Sequence, residues 1–397
     1  MIFFIVVIII LSMMYGYVGW RLIIPARFSI PVNIILWAVL VVALVLPFLP
    51  VMMRFRGVGG FWIDALAWIG YLSFGFVTLL FAFLVAKDLI LLLSAAVQKS
   101  IHYIGGLFGS ESVAAETTDP ERRRLLVNGL NLGVIGISGA MTGYGMFEAM
   151  RKPEIVEVDI SIKNLPEEFD GFRIIQITDI HVSHTIKRPF VRAVVDTVNG
   201  LNPDLVALTG DLVDGSVDRL HDDVAPLADL EAPHGSFFIT GNHEYYSGVQ
   251  QWVEETARLG FTVLLNEHRI IEKGEGRFLL AGVTDYSGGG FGADHKSDPH
   301  KATAGAPDGP VKILLAHQPK SIFEAAEACY DYVISGHTHG GQYFPYHFLT
   351  ALTQPYLSGL HRHKETQIYV SKGTGYWGPQ IRIGARSEIT VHRLKSA

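Results

Sequence analysis

Residues 173–181 read RIIQITDIH. The β-branched content of 173–178 marks a strand, and it runs straight into Asp179 and His181, a carboxylate and an imidazole one residue apart. The arrangement recurs along the chain. Residues 204–209 (DLVALT) lead into Gly210, Asp211 and Asp214, and residues 236–240 (SFFIT) lead into Gly241, Asn242, His243 and Glu244. Residues 312–316 (KILLA) precede His317, and residues 332–335 (YVIS) precede Gly336, His337, Thr338 and His339. Further strands are expected at 278–283, 367–371 and 388–393, with helical stretches at 189–199 and 251–259. Strands alternating with helices argue for an α/β domain. In such sheets ligands gather at the carboxyl ends of the strands, and glycines there let the backbone turn sharply.

The residues so gathered are Asp, Asn and His. Carboxylate with imidazole suits Mn, Fe or Zn better than Ca or Mg. The single cysteine, Cys329, is not among them, which argues against a structural zinc site and leaves no intramolecular disulfide. Asp179, His181, Asp211, Asn242, His317, His337 and His339 are too many ligands for one catalytic metal and enough for two if one carboxylate bridges. Two metals roughly 4 Å apart clamp a phosphate and acidify a bridging water, whose hydroxide attacks phosphorus in line. A protonated histidine nearby then returns a proton to the leaving oxygen. Taken singly, each motif has a plainer explanation. Asp-x-His is most often an accident of a loop, Gly-Asp-x-x-Asp a turn, and a lone His317 a capped loop residue. Five in one order, each behind an apolar strand, do not share that explanation.

Asp-x-His at 179, Gly-Asp-x-x-Asp at 210, Gly-Asn-His-Glu at 241, the lone His317 and Gly-His-x-His at 336 together resemble the calcineurin-like metallophosphoesterase family, block for block. The resemblance covers residues 170–395. GHTHGGQ at 336–342, SGL at 358–360, YVSKG at 369–373 and EIT at 388–390 are similar to a membrane-linked bacterial subgroup. The resemblance implies a four-layer sandwich of two mixed β-sheets flanked by helices. It implies that Asp179, His181 and His339 hold a first metal, that Asn242, His317 and His337 hold a second, and that Asp211 bridges. It also implies that His243 touches the phosphate as general acid, and that Asp214 and Glu244 orient histidine ligands. The cofactors are then two divalent transition-metal ions, Mn, Fe or Zn.

Residues 1–150 are of different material. Apolar residues make up 49% of the 397 and charged residues only 18%, and the first part carries the excess. Uncharged apolar runs at 1–20, 32–53, 65–86 and 125–147 each meet the length of about 20 residues that a spanning helix needs. Buried helices of a soluble protein would show a polar face. The first run lacks the basic start and small-residue cleavage site of a signal peptide. Beyond Ala86 the apolar pattern continues to about Val97, broken by Lys87 and Asp88, as in a helix leaving the bilayer or lying in its interface. Residues 105–120 are a polar linker. The expected organisation is a four-helix transmembrane region at 1–150 and a catalytic domain at 151–397.

Basic residues set the orientation. Arg21 and Arg27 follow the first run, and Lys99 and Arg122 to Arg124 precede the fourth. With both loops cytoplasmic, Arg54 and Arg56 lie outside, and the catalytic domain faces the extracytoplasmic side of a bacterial inner or plasma membrane. The three arginines also faintly resemble a twin-arginine export signal, but their depth in the chain favours a topology determinant. The net charge of −6 argues against nucleic acid as a partner.

Three further features stand out. His184 is expected as a solvated loop residue, with substrate contact the alternative. Residues 284–309 form a long Gly/Asp/His loop, either a mobile surface loop or a lid, with Asp285 at its start and His295 and His300 solvated. Residues 343–360 are unusually aromatic and apolar, either a packed connection or a surface touching the bilayer or an acyl chain.

The expected function is two-metal hydrolysis of a phosphodiester, phosphomonoester or pyrophosphate. The substrate is expected to be membrane- or envelope-associated and in the sharper version lipid-linked, with the lipid bilayer as a second partner. A nucleotide-sugar lipid pyrophosphatase is that sharper version, although its chemistry usually belongs on the cytoplasmic side, against the expected orientation. A non-catalytic metal-stabilised scaffold for envelope proteins is the alternative, although no ligand has been lost. A transporter is a third reading, opposed by spans that carry charge only near their ends.

Overall fold

The computed structural model describes residues 2–54, 60–107, 119–307 and 309–397. Arg56 and residues 108–118 of the linker lie outside the described residues. The chain forms two compact units, one of Met1–Met52 and Ile69–Tyr144, the other of Met53–Trp68 and Gly145–Ala397.

The first unit is helical. Its helices are α1 (Ile2–Ala26), α2 (Ile30–Val45), α3 (Phe48–Arg54), most of α4 (Phe61–Leu107) and most of α5 (Pro120–Met150). Four stretches are long and apolar enough to cross a membrane: Ile5–Ala26, Ile30–Pro50, Phe61–Gly105 and Pro120–Met150. Tyr15 and Val18 of α1 pack on Val77, Leu80 and Leu84 of α4, while Ile8, Ile34, Leu92 and Leu132 remain exposed. Apolar side chains facing outward on a helix bundle are what a hydrocarbon solvent selects.

The second run is divided into α2 and α3 around Pro47, which has no backbone N–H to continue the helix. The third continues as helix beyond Ala86, and α4 runs to Leu107 through Lys87 and Asp88. Their polar groups are satisfied inside the unit. Tyr17 donates to Asp88 Oδ2 at 2.5 Å, Arg21 pairs with Asp88 Oδ1, and Lys87 donates to Asn131 Oδ1 at 2.5 Å. Asn131 in turn donates to the Arg21 carbonyl at 2.8 Å. Paired this way, charges near the ends of apolar helices need not end them.

The second unit has twelve strands in two sheets of six. They are β1 (Glu154–Ile162), β2 (Arg173–Ile177), β3 (Leu205–Thr209), β4 (Ser236–Ile239), β5 (Phe261–Val263), β6 (Glu267–Lys273), β7 (Gly276–Gly282), β8 (Val311–Leu315), β9 (Tyr332–Ser335), β10 (Gly359–His363), β11 (Thr366–Val370) and β12 (Glu388–Ser396). The first sheet runs β1-β12-β2-β3-β4-β5, all neighbours parallel except β12 against β2. The second runs β10-β11-β9-β8-β7-β6, parallel except at its two edge pairs. Both are mixed sheets.

Alternation along each strand sorts its side chains into layers. Ile174, Leu205, Ala207 and Phe237 face Phe278, Leu280, Ile313 and Ile334 between the sheets. Ile175, Val206, Leu208 and Phe238 point the other way, onto Val191, Val194 and Val198 of α6 (Arg188–Gly200), Leu220 of α7 (Val217–Val224) and Trp252. Leu279, Leu314 and Val333 do the same on the far side, against Ile322, Ala325 and Tyr330. Helices, sheet, sheet and helices make the four-layer sandwich. Phe278 is fully buried in its middle, and truncating such a residue to Ala costs about 3–5 kcal/mol.

Candidate metal centre

The ends of β2, β3, β4, β8 and β9 carry the predicted ligands, and the chain turns there in an unusual way. Asp179, His181, Asp211, His337 and His339 all have positive φ, between 51° and 72°. L-residues reach that region only at a cost of about 1–3 kcal/mol each, and such conformations cluster at functional sites. Glycines make the approach possible. A Cβ on Gly336 would collide with the Asp179 carboxylate, and one on Gly241 with the Asp211 carboxylate.

Two groups of side chains converge. In the first, His181 Nε2 and His339 Nε2 lie 3.0 Å apart, and His339 Nε2 lies 3.5 Å from Asp179 Oδ1. In the second, His317 Nε2 lies 3.1 Å from Asp211 Oδ2 and 3.2 Å from His337 Nδ1. Asp211 Oδ2 is also 3.8 Å from His181 Nε2, so one oxygen faces both groups. His317 Nδ1 donates to the Thr209 carbonyl at 2.8 Å, which leaves Nε2 bare toward the site. Asn242 Oδ1 is buried and has no hydrogen-bond partner among the described residues.

Charge is concentrated here. Burial opposes ionisation of Asp211, yet the neighbouring His317 and His243 hold it well below the usual carboxylate range. Burial would lower His317, but Asp211 and Asp179 hold it well above. Burial also opposes the charge of His243, and Asp214 and Asp211 outweigh it and push it up to about 9. His243 Nδ1 is hydrogen bonded to Asp214 Oδ1, and its Nε2 lies 3.9 Å from Asp211 Oδ2. Asp214 Oδ2 is 3.3 Å from His181 Nδ1, so this carboxylate faces two histidines. Glu244 does something else. It accepts from the backbone N–H of Gly241 (2.6 Å), Asp211 (3.0 Å) and Leu212 (2.8 Å), and touches no histidine. It shapes the turn that presents Asp211, because three amides converge on it.

Residues 172–341 match the calcineurin-like phosphoesterase family. An uncharacterized metallophosphoesterase of Helicobacter pylori J99 is 40% identical over 283 residues, which cover 69% of this chain and 73% of that one. The chain belongs to the calcineurin-like metallophosphoesterases. This metallophosphoesterase is also 40% identical over 276 residues to a zebrafish (Danio rerio) transmembrane protein with metallophosphoesterase domain, covering 66% of its own chain and 62% of that protein. It therefore spans less than two thirds of that relative's length. Uncharacterized metallophosphoesterase YkuE of Bacillus subtilis is 31% identical over 272 residues, covering 65% and 93% of the two chains. The family implies divalent metal ions, and the residues present fit them. Six O and N donors converge in the two groups, a seventh candidate, Asn242 Oδ1, is buried without a partner among the described residues, and the raised proton affinity of His317 and His243 marks where carboxylate charge calls for balance.

Other residues of the metallophosphoesterase enter the site without having been singled out in the sequence. Arg382 is buried at 1% exposure and donates to His339 Nδ1 (2.9 Å), to the Ala385 carbonyl (2.8 Å) and to the Gly375 carbonyl. Its one visible signal was a charge inside the apolar stretch QIRIG. Gln342 clamps Trp377, accepting from its N–H and donating to its carbonyl, both at 3.0 Å. Tyr246 and Trp377 flank the His243 ring.

His184 is not solvated. It is 7% exposed, and its Nδ1 lies 2.6 Å from Asp64 Oδ1. Asp285 is fully buried, accepting from Ser287 N–H at 2.8 Å and Gln318 Nε2 at 3.1 Å. The loop it opens is built from short turns rather than free chain. Thr284 donates to the His295 carbonyl at 3.0 Å, and Asp298 N–H donates to Asn266 at 2.9 Å. Residues 343–360 have a buried and an exposed part. Tyr343 is buried, whereas Phe348, Leu349 and Leu352 on the helix Tyr346–Thr353 are exposed.

Proposed function

We propose that the chain hydrolyses a phosphoester bond (phosphodiester, phosphomonoester or pyrophosphate) in a membrane- or envelope-associated substrate. The observation that carries this is the pair of ligand groups meeting at one oxygen of Asp211, with His243 beside it. Asp179, His181 and His339 would hold one divalent metal and Asn242, His317 and His337 the other, with Asp211 shared. Two such ions, Mn, Fe or Zn, supply Lewis-acid activation of a water nucleophile and neutralise phosphate charge. The chain's own residues do the rest. The left-handed turns hold the ligands in place before substrate arrives. Asp214 fixes the His243 ring so that Nε2 faces the reacting centre, and the raised affinity of that ring for a proton suits a general acid. The P–O bond breaks onto the leaving oxygen, which takes the proton from Nε2.

Four candidate spans favour a substrate within reach of a bilayer, and so do the exposed Phe348, Leu349 and Leu352 close behind His339. The basic loops favour a catalytic domain on the extracytoplasmic side of a bacterial inner membrane.

The test is turnover of detergent-purified full-length protein with Mn²⁺, wild type against His243→Ala. The substrates are a soluble aryl phosphodiester and a pool of native envelope lipids. The expected result is a fall in kcat of about 10²–10⁴-fold with metal content unchanged. Equal rates in both proteins would remove His243 as the acid, and no turnover by metal-loaded wild type would remove the hydrolase reading.

A further inference from the structure

His243 Nε2 faces the reacting centre, so whatever is attached to the leaving oxygen lies against the neighbours of His243. Those neighbours are aromatic. The Tyr246 ring centroid is 5.3 Å from that of His243, and Trp377 is 5.5 Å away, both edge-on. Phe291 stands behind Tyr246 at 6.0 Å. All three rings are open to solvent, at 50%, 43% and 53% exposure. Single exposed aromatics need no explanation, but two against one partly buried histidine, with a third behind Tyr246, form a surface.

The two rings nearest His243 are also held in place. Tyr246 lies on the short helix Asn242–Ser247, whose start Glu244 ties to the Asp211 turn. Trp377 is clamped through its backbone by Gln342, which follows the Gly-His-Thr-His motif. The rings are therefore positioned by the same turns that position the metal ligands. A fixed aromatic surface favours flat or ring-shaped apolar faces, to which it loses little conformational entropy, over flexible chains.

We infer that Tyr246 and Trp377, backed by Phe291, form a leaving-group subsite that selects phosphoesters whose departing alcohol carries a ring close to the scissile oxygen. The ring is either aromatic or a sugar, since both offer an apolar face. This rests on His243 being the acid that protonates the leaving oxygen.

The experiment compares primary-alcohol esters of similar leaving-group acidity, so that the ring is the main variable. Ethyl, n-octyl and 2-phenylethyl phosphates and glucose 6-phosphate are assayed as monoesters and as methyl diesters. The enzyme is full-length protein with Mn²⁺, as wild type, Trp377→Ala and Tyr246→Ala. The inference expects kcat/KM about 10-fold higher for at least one ring-bearing ester than for the ethyl ester. The 2-phenylethyl and glucose arms say which kind of ring is taken. In the variants that advantage should collapse to within about 2-fold, with metal content and thermal midpoint as in wild type. The inference is overturned if wild type treats ring-bearing and ethyl esters alike or prefers octyl. It is equally overturned if the variants slow every ester in proportion. Absence of turnover on all esters by metal-loaded wild type would instead defeat the hydrolase reading on which it rests.

Discussion

The two ligand groups that share Asp211 are backed by opposite charge. Behind Asp179, His181 and His339 stands Arg382, a buried cation 2.9 Å from His339 Nδ1. Behind Asn242, His317 and His337 there is no such cation among the described residues. His317 rests on the Thr209 carbonyl and feels Asp211, Asp179 and Asp285. The difference shows in the histidines. Burial together with His181 and Arg382 holds His339 well below its ordinary value, whereas carboxylates hold His317 well above. A cation entering the first group meets Asp179 and Asp214 with Arg382 offsetting them, and one entering the second meets carboxylates that no such cation offsets among the described residues. If two metals bind as proposed, the His317 side should fill first and the His339 side more weakly.

The largest effect should come from the residue both groups use. Asp211→Asn halves the ligand capacity at the shared oxygen and removes its charge, which is several kcal/mol of cation stabilisation. We expect kcat/KM to fall by roughly 10³-fold or more and both metals to be lost on dialysis. Steady-state rates beside metal analysis check this. A variant that kept both metals and near-normal turnover would break the picture of a shared carboxylate.

Arg382→Lys tests the asymmetry itself. Lysine keeps the charge but cannot span His339, Gly375 and Ala385 at once, because it lacks the planar fork. The weaker metal-binding step should lose about 10–100-fold in affinity while the tighter step is unmoved. Calorimetric titration with Mn²⁺ resolves the two. Equal weakening of both steps would mean that Arg382 supports the whole sandwich rather than one group.

How legible these features were depended on whether a local pattern carried them. The ligand-bearing strands announced themselves by β-branched runs ending in polar residues. The partition into Asp179 with His339 and His317 with His337 followed only from the family resemblance, and the structure brings those residues together in the same groups. Arg382 was invisible because its partners are backbone carbonyls and a histidine 43 residues away in sequence. Glu244 looked like a histidine partner, but it is spent on amides three and 33 residues distant. The left-handed ligands gave only a weak signal, since Asp and His are enriched at positive φ but few of them adopt it. In the helical unit, Lys87 and Asp88 showed in the sequence as a break in the apolar pattern. Nothing local could show that Tyr17, Arg21 and Asn131 would satisfy them.

The smallest effect separates the site from the frame that holds it, and it is read in pH. His392 lies between the sheets, fully buried, accepting from Tyr332 Oη at 2.7 Å and donating to Gln176 at 3.1 Å. Burial lowers it to about 3. A histidine depressed in the folded state contributes stability that is present above its unfolded value, about 6.5, and is lost as pH falls toward 3. His243 has the opposite sign in the metal-free protein. Raised to about 9, it contributes stability that is complete below about 6.5 and is lost as pH climbs through 9. Metal-free protein should thus weaken toward acid through His392 together with the depressed His337 and His339 of the site, and toward base through His243. His392→Gln keeps a donor and an acceptor but no titrating group. Its stability-versus-pH slope between pH 6 and 4 should be shallower by up to one proton, about 1.4 kcal/mol per pH unit, with the basic limb unchanged. Chelated protein unfolded thermally across pH gives both limbs in one series. If the basic limb flattened as well, the strand ends and the sheet interior would have to be one electrostatic unit, and the contrast between site and frame would fail.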